Sequence, residues 1–349
     1  MTNRDAIDLL RDLCAVYSPS GDEAGAVALL VERANRAGLR AFSDDVGNFV
    51  AERGTGPTTI VLLGHVDTVP SFITPSVAGR SLHARGAVDA KGPLAAFVAA
   101  ASHAAIPDDV RVVVIGAVEE EAPTSKGAHF VRDRYAPSAV VIGEPSGVSG
   151  ITLGYKGRIG LALVAPQAHA HAAAEGRSIA ARAVDWWTRL EEYCERRNQA
   201  RTVFERLDPH LAEFQTSTDG FTDRVELRGS MRLPLDADVD DLRARFEELA
   251  SGWGSVSLDG FVPPFKAGRK NRLVAAFIRA IRQAGLTPSF KLKTGTSDMN
   301  VVGPVWRCPI VAYGPGDSTL DHTPEERVEL DDYLLAVRVL THVLGDRLQ

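Results

Sequence analysis

Five segments of this chain each set a metal-type ligand just past a hydrophobic run, which limits the fold to one whose strand ends converge. They are Ile60–Asp67 with His65, Gly86–Gly92 with Asp89, Val112–Glu121 with Glu119, Glu120 and Glu121, Val140–Glu144 with Glu144, and the Asp321–Pro324 turn with His322. Four of the five follow a short apolar, β-branched stretch of the kind that forms a buried strand. In open α/β sheets, functional loops gather outside the carboxyl ends of the strands. One histidine after a strand is usually a hydrogen-bonded loop residue; several such ends together are hard to explain by packing.

The pattern between these segments is alternating strand and helix. Strands are expected near 47–52, 59–64, 110–117, 139–143 and 308–313, with helices at 92–104, 125–134 and 271–284. That order implies an α/β fold with a mostly parallel sheet and helices on both faces. Near the start, residues 5–37 read as two helices around a break at 18–21, with Ser20 placed to cap the second and Glu23 three residues on. Residues 157–264 follow another rule: strand, helix, two strands, helix, strand, an inserted ferredoxin-like α+β unit. The expected division is a catalytic domain from 1–156 and 265–349, and an inserted domain at 157–264.

Composition narrows the function. At 349 residues the chain has room for two domains, and a net charge of -6 argues against general nucleic-acid binding. No apolar run approaches a membrane span, and the first residues lack the apolar core of a secretion signal. Cys14, Cys194 and Cys308 are odd in number and far apart, which suggests no disulfide framework and fits a reducing cytoplasm.

The ligand types suit a hydrolytic two-zinc site. Two imidazoles and several carboxylates form a mixed N/O set that zinc accepts. Asp89, between a Gly-rich loop and a helix, could face two ions at once; as a plain structural residue it would cap helix 92–104. Two zinc ions bring four positive charges, balanced by Asp89, Glu121, Glu144 and one hydroxide, with His65 and His322 neutral. That leaves Glu120 as a base. Asp67, two residues after His65, could accept the second imidazole N–H. His83 and His210 fall in irregular segments and His103, His129 and His342 in helical ones, and all five read as structural.

These segments resemble the dizinc amidohydrolase and exopeptidase family that includes acetylornithine deacetylase, succinyl-diaminopimelate desuccinylase, aminoacylase and carboxypeptidase G. The matching stretches are Gly64–Pro70, Gly86–Gly92, Glu119–Glu121, Gly143–Pro145, Gly295–Asp298 and His322. The resemblance implies that His65 and Glu144 hold one zinc, His322 and Glu121 the other, and Asp89 bridges them. It makes Glu120 the general acid/base and Asp67 the partner of the histidine ligand, with cobalt a possible substitute metal. Glu119 stands where the family usually has Asp.

The inserted lid domain is expected to form a homodimer and to lend a histidine to the neighbouring active site, His171 or alternatively His169. Its loop departs from the family pattern, with no proline and Ser178 in place of Asn. Glu119–Ala128 and Gly150–Arg158 resemble one subgroup, which releases lysine or ornithine from an acidic amino-group carrier protein in lysine and arginine biosynthesis. Residues 266–293 carry eight basic residues and no acidic ones, a block that could steer such a partner. The rival expectations are a small-molecule deacylase acting on acetylornithine or succinyl-diaminopimelate, a dipeptidase or carboxypeptidase, and a metal-free binding protein on the same fold. Neither a nucleic-acid nor a membrane partner is expected.

Overall fold

The structure, a computed structural model, describes residues 1–171 and 173–346. It divides into two compact units. The first holds Met1–Gly154, Lys266–Leu292 and Ser297 onward, and the second holds Tyr155–Phe265 with Lys293–Thr296. Sixteen strands are described: β1 (Arg40–Ser43), β2 (Phe49–Arg53), β3 (Thr58–His65), β4 (Ser76–Ala78), β5 (Ser81–His83), β6 (Val110–Ala117), β7 (Ala139–Ile142), β8 (Gly150–Tyr155), β9 (Gly157–Ala168), β10 (Asp208–Thr218), β11 (Thr222–Leu233), β12 (Ser255–Val262), β13 (Phe265–Lys266), β14 (Ser289–Lys293), β15 (Ile310–Ala312) and β16 (Arg327–Glu329). The helices are α1 (Asn3–Ala15), α2 (Ala24–Arg36), α3 (Lys91–His103), α4 (Lys126–Arg132), α5 (Ile179–Arg197), α6 (Val239–Ala250), α7 (Arg272–Gln283), α8 (Asp298–Trp306) and α9 (Leu330–Leu344).

The large sheet runs β1-β2-β6-β3-β7-β15-β8-β13, with β14 beside β8. Its middle is parallel: β3 pairs in parallel with β6 and β7, and β7 with β15. The flanks are antiparallel, β2 against β6 and β15 against β8. Every residue of β3 is buried, and all but Arg111 of β6, as a sheet covered on both faces requires. The alternation read from the sequence thus gives the fold class, with antiparallel edges added.

Beneath the strand ends lies α3, whose residues from Lys91 to Ala101 are all buried. Its close approach depends on three glycines. A Cβ at Gly116 would meet Leu94 at 2.9 Å, one at Gly143 would meet Phe97 at 2.8 Å, and one at Gly64 would touch Leu94 at 3.4 Å. Each glycine stands just before a ligand-bearing loop, so the helix supports those loops directly.

In the second unit the sheet order is β10-β11-β9-β12. β9 alternates buried and half-buried residues over its first eight positions, the period of a strand with one face on a core. Trp186 of α5 is buried there and donates its indole N–H to the carbonyl of Phe246 at 3.1 Å. β10 lies at an edge of this sheet, exposed from His210 to Thr218. The chain leaves the first unit along β8 and re-enters beside it, where Ala267 N–H donates to the carbonyl of Leu153 at 2.7 Å.

Two expectations need correcting. Ser20 does not cap α2, whose N-cap is Glu23 with no side-chain cap bond. Ser20 instead donates to Asp67 Oδ2 at 2.7 Å, and Glu23 Oε1 accepts the amides of Gly21 at 2.7 Å and Glu119 at 3.1 Å. Both side chains form long-range bonds across the strand ends, which outcompete a local cap. His83 and His210 lie in strands β5 and β10 rather than irregular segments. Backbone pairing recruits them, His83 with the sequence-distant β16 and His210 with the next strand β11.

Candidate metal centre

Parallel pairing of three neighbouring strands delivers the first ligands to one edge. His65 ends β3, Glu119–Glu121 follow β6, and Glu144 follows β7. Asp89 arrives from the turn before α3, and His322 from the loop between β15 and β16. Asp89 does not cap that helix, whose N-cap is Ala90 with no side-chain bond.

The carboxylate of Asp89 is split between two imidazoles. Its Oδ1 lies 3.2 Å from His65 Nε2, and its Oδ2 lies 3.2 Å from His322 Nε2. Each imidazole has a further acid: Glu121 Oε1 lies 2.8 Å from His322 Nε2, and Glu144 Oε1 lies 4.0 Å from His65 Nε2. Donor atoms of His65, Asp89 and Glu121 all lie within 4.8 Å of one another. The arrangement fits a pair of divalent cations, with one Asp89 oxygen for each and an imidazole and a second acid at either side.

Asp67 is fully buried and acts mainly on the acidic loop. Its Oδ1 accepts the amide of Glu120 at 3.1 Å, and its Oδ2 that of Glu121 at 3.0 Å. His65 Nδ1 lies closest to the backbone carbonyl of Asp67, at 3.0 Å, with the carboxylate at 3.5 Å. The imidazole is therefore oriented chiefly by a peptide oxygen, and the expected carboxylate contact is the longer of the two. Glu119 turns away to Thr124, which donates to it at 2.6 Å, and to Lys126 at 3.5 Å. Glu119 and His322 have φ of 57° and 58°, left-handed values that non-glycine residues adopt at some cost and that cluster at functional sites.

Glu120 makes no ligand-type contact with either imidazole. Burial pushes its carboxyl well above the usual range; the His65 charge opposes this, and Asp298, Glu144 and Glu121 add to it. Asp298 closes the Gly295–Asp298 motif. It is buried at the start of α8, and neither carboxylate oxygen has a hydrogen-bond partner. Burial pushes it up to about 7. His169 and His171 belong to the second unit: His169 Nδ1 meets Asp223 Oδ1 at 2.9 Å, and exposed His171 accepts the amide of Ala173 at 3.1 Å.

Residues 61–346 match the model of peptidase family M20/M25/M40. This chain belongs to that family. It is a metal-dependent hydrolase of the M20 type. Among its relatives, the LysW-lysine hydrolase of Deinococcus radiodurans is 42% identical, aligned over 97% of this chain and 96% of its own. The LysW-lysine/LysW-ornithine hydrolase of Saccharolobus islandicus is 28% identical over 97% of this chain and 94% of its own. Among solved structures, a tripeptidase from Staphylococcus aureus superposes with TM-score 0.82 at 19% identity, covering 99% of this chain and 98% of that one. An M20 family metallo-carboxypeptidase from Sulfolobus solfataricus gives TM-score 0.80 at 18% identity, covering 97% and 98%. At such identities these structures speak to the fold alone. Among the described residues, no helix is long and apolar enough to cross a membrane.

The charges at the centre lead to a pH-dependent prediction. Hydrogen bonds that His322 donates to Asp89 and Glu121 raise it to about 10. Burial works against protonation of His65, yet Asp67 and Asp89 hold it well above its ordinary value. Both rings are thus biased toward the protonated form in the metal-free protein, whereas a ligating imidazole must be neutral. Zinc loading at pH 7 should release up to about two protons per chain, and affinity should rise with pH until His322 deprotonates unaided. Calorimetry in two buffers of different ionisation enthalpy counts the protons; none released would contradict the ligand assignment.

Proposed function

We propose that this chain is a cytoplasmic, zinc-dependent amide hydrolase, working as a homodimer, that releases lysine or ornithine from an acidic amino-group carrier protein in lysine and arginine biosynthesis. The observation that carries the reading is the match, over nearly the whole of both chains, to the 42% identical LysW-lysine hydrolase. The residues fit the chemistry. His65 and Glu144 would hold one zinc, His322 and Glu121 the other, with Asp89 between them; cobalt suits the same donors. Zinc bound there supplies Lewis acidity toward the amide carbonyl and toward water.

The chain's own residues then handle the protons and the geometry. Glu120, its carboxyl raised by burial, takes a proton from water and returns it to the departing amine nitrogen. Asp67 sets where Glu120 stands by gripping its amide. His171 is assigned to the oxyanion of the partner subunit's substrate. Mixing inactive Glu120→Gln chains with inactive His171→Ala chains should restore part of the activity through heterodimers; no recovery despite proven subunit exchange removes the trans role. Support for a dimer comes from β10, an exposed edge strand carrying Leu211 and Phe214, since an unpaired edge is a ready template for strand addition.

Seven of the eight basic residues fall in the first unit, and all seven are exposed. Arg279 is paired with Asp346, and the Arg269 guanidinium lies 3.8 Å from the Phe290 ring centre. An acidic carrier would meet this surface. The deciding experiment compares zinc-loaded protein on carrier-linked lysine, acetyl-lysine and acetylornithine at increasing salt. Carrier turnover should fall steeply with ionic strength, because exposed charges are screened beyond about 10 Å at 0.1 M. Replacing Arg269 and Lys270 with Glu should raise KM for the carrier form while leaving kcat and the small substrates nearly unchanged. Faster turnover of acetylornithine than of the carrier form would replace this reading with the small-molecule deacylase.

A further inference from the structure

Four residues past His322 stands Glu326, a carboxylate that is 1% exposed. Its Oε1 accepts two consecutive backbone amides, from Val88 at 2.9 Å and Asp89 at 3.1 Å. Its Oε2 accepts from the guanidinium of Arg85, itself 5% exposed and anchored by Nε to Ser71 Oγ at 2.9 Å. Around this pair the two chain segments are zipped together. Ala84 N–H donates to the carbonyl of Glu326 at 3.2 Å, and β5 pairs with β16 from Ser81↔Glu329 to His83↔Arg327.

We propose that Glu326 is a positioning residue for the metal pair, locking the backbone of Asp89 to the loop that carries His322. Two amides held on one oxygen fix the peptide plane ahead of Asp89, and with it the direction in which the side chain leaves. Charge assistance shortens and strengthens such bonds. A buried ion pair that only filled space would satisfy its acid with any donor. This one devotes an oxygen to the two peptide groups leading into the residue that faces both imidazoles.

The geometry also gives the role a direction. His322 and Asp89 both stand on segments that Glu326 ties, whereas His65, Glu121 and Glu144 follow strands of the large sheet. Loosening Glu326 therefore disturbs two of the three donors on the His322 side, and one of three on the His65 side. The zinc beside His322 and Glu121 should be lost first.

The inference rests on the two-zinc reading above, and the test separates the two. Zinc-free wild-type and Glu326→Gln proteins are titrated with zinc against a competing chelator, with the thermal midpoint of each metal-free protein recorded alongside. Glutamine keeps an oxygen for the amides but loses the charge facing Arg85. The weaker zinc should bind about 10–100-fold less tightly, the range for partners that orient a ligand, while the tighter changes far less. Cobalt loaded at one equivalent should give the same visible spectrum in both proteins, with the difference appearing only at the second equivalent. A lower metal-free midpoint with the ratio of the two zinc affinities unchanged would make Glu326 merely structural and overturn the proposal. Wild-type protein binding fewer than two zinc ions would instead sink the two-zinc reading. Should Glu326→Gln fail to fold, Arg85→Lys keeps a cation near Oε2 while giving up the bond to Ser71; it should show the same order of loss with a smaller shift, and equal loss at both positions would count against the proposal.

Discussion

Changing Glu120 to glutamine is expected to lower kcat by about 10²–10⁴-fold while zinc content stays at the wild-type level. The side chain contacts neither imidazole, so its loss removes proton transfer and leaves the cation donors in place. Glutamine is nearly isosteric and keeps the backbone amide that Asp67 Oδ1 accepts at 3.1 Å. Metal analysis beside steady-state rates makes the check. Activity near wild type with zinc retained would move the proton role elsewhere in the acidic triplet, with Glu119 next in line. That residue already engages Thr124 and Lys126.

Removing Asp89 should be more damaging still. Its two oxygens face His65 and His322 at 3.2 Å each, so Asp89→Ala takes a donor from both halves of the centre at once. Zinc affinity should fall beyond the 10–100-fold typical of residues that only orient a ligand, and hydrolysis should drop to background. Asp89→Asn retains one neutral acceptor and should fall between the two. Equilibrium dialysis followed by metal analysis reads the result. Full zinc occupancy in the alanine variant would remove Asp89 from the bridging position.

Much of this was legible in the sequence for a simple reason. A buried strand must be apolar along its whole length, so 59–64, 110–117 and 139–143 announce themselves, and the first polar residue after each is the one delivered to the sheet edge. His65, the Glu119–Glu121 triplet and Glu144 follow from that logic, whereas Asp89 comes from the turn before α3 and His322 from the loop between β15 and β16. What was not legible depends on partners far along the chain. Ser20 and Glu23 carry a local capping signature, yet they bond to Asp67 and to the amide of Glu119. Asp67 reads as the acid beside a histidine two residues away, while its carboxylate holds amides more than fifty residues on. Glu326 sits among ordinary polar residues and has no periodicity to mark it. β4, β5 and β16 are three residues each, too short for an alternation to show.

The place where the chain crosses into the second unit bears on how such a protein could have arisen. The outgoing strand β8 and the returning segment are already joined by the Leu153–Ala267 rung. Closing the intervening segment therefore costs the parent sheet little, because loop entropy grows only slowly with length once the ends are held together. The visitor has its own core around Trp186 and Phe246 and borrows only the short strip Lys293–Thr296 from the host. The five candidate metal donors and Glu120 all belong to the host. Such a guest can be lengthened, trimmed or exchanged without touching the candidate metal donors.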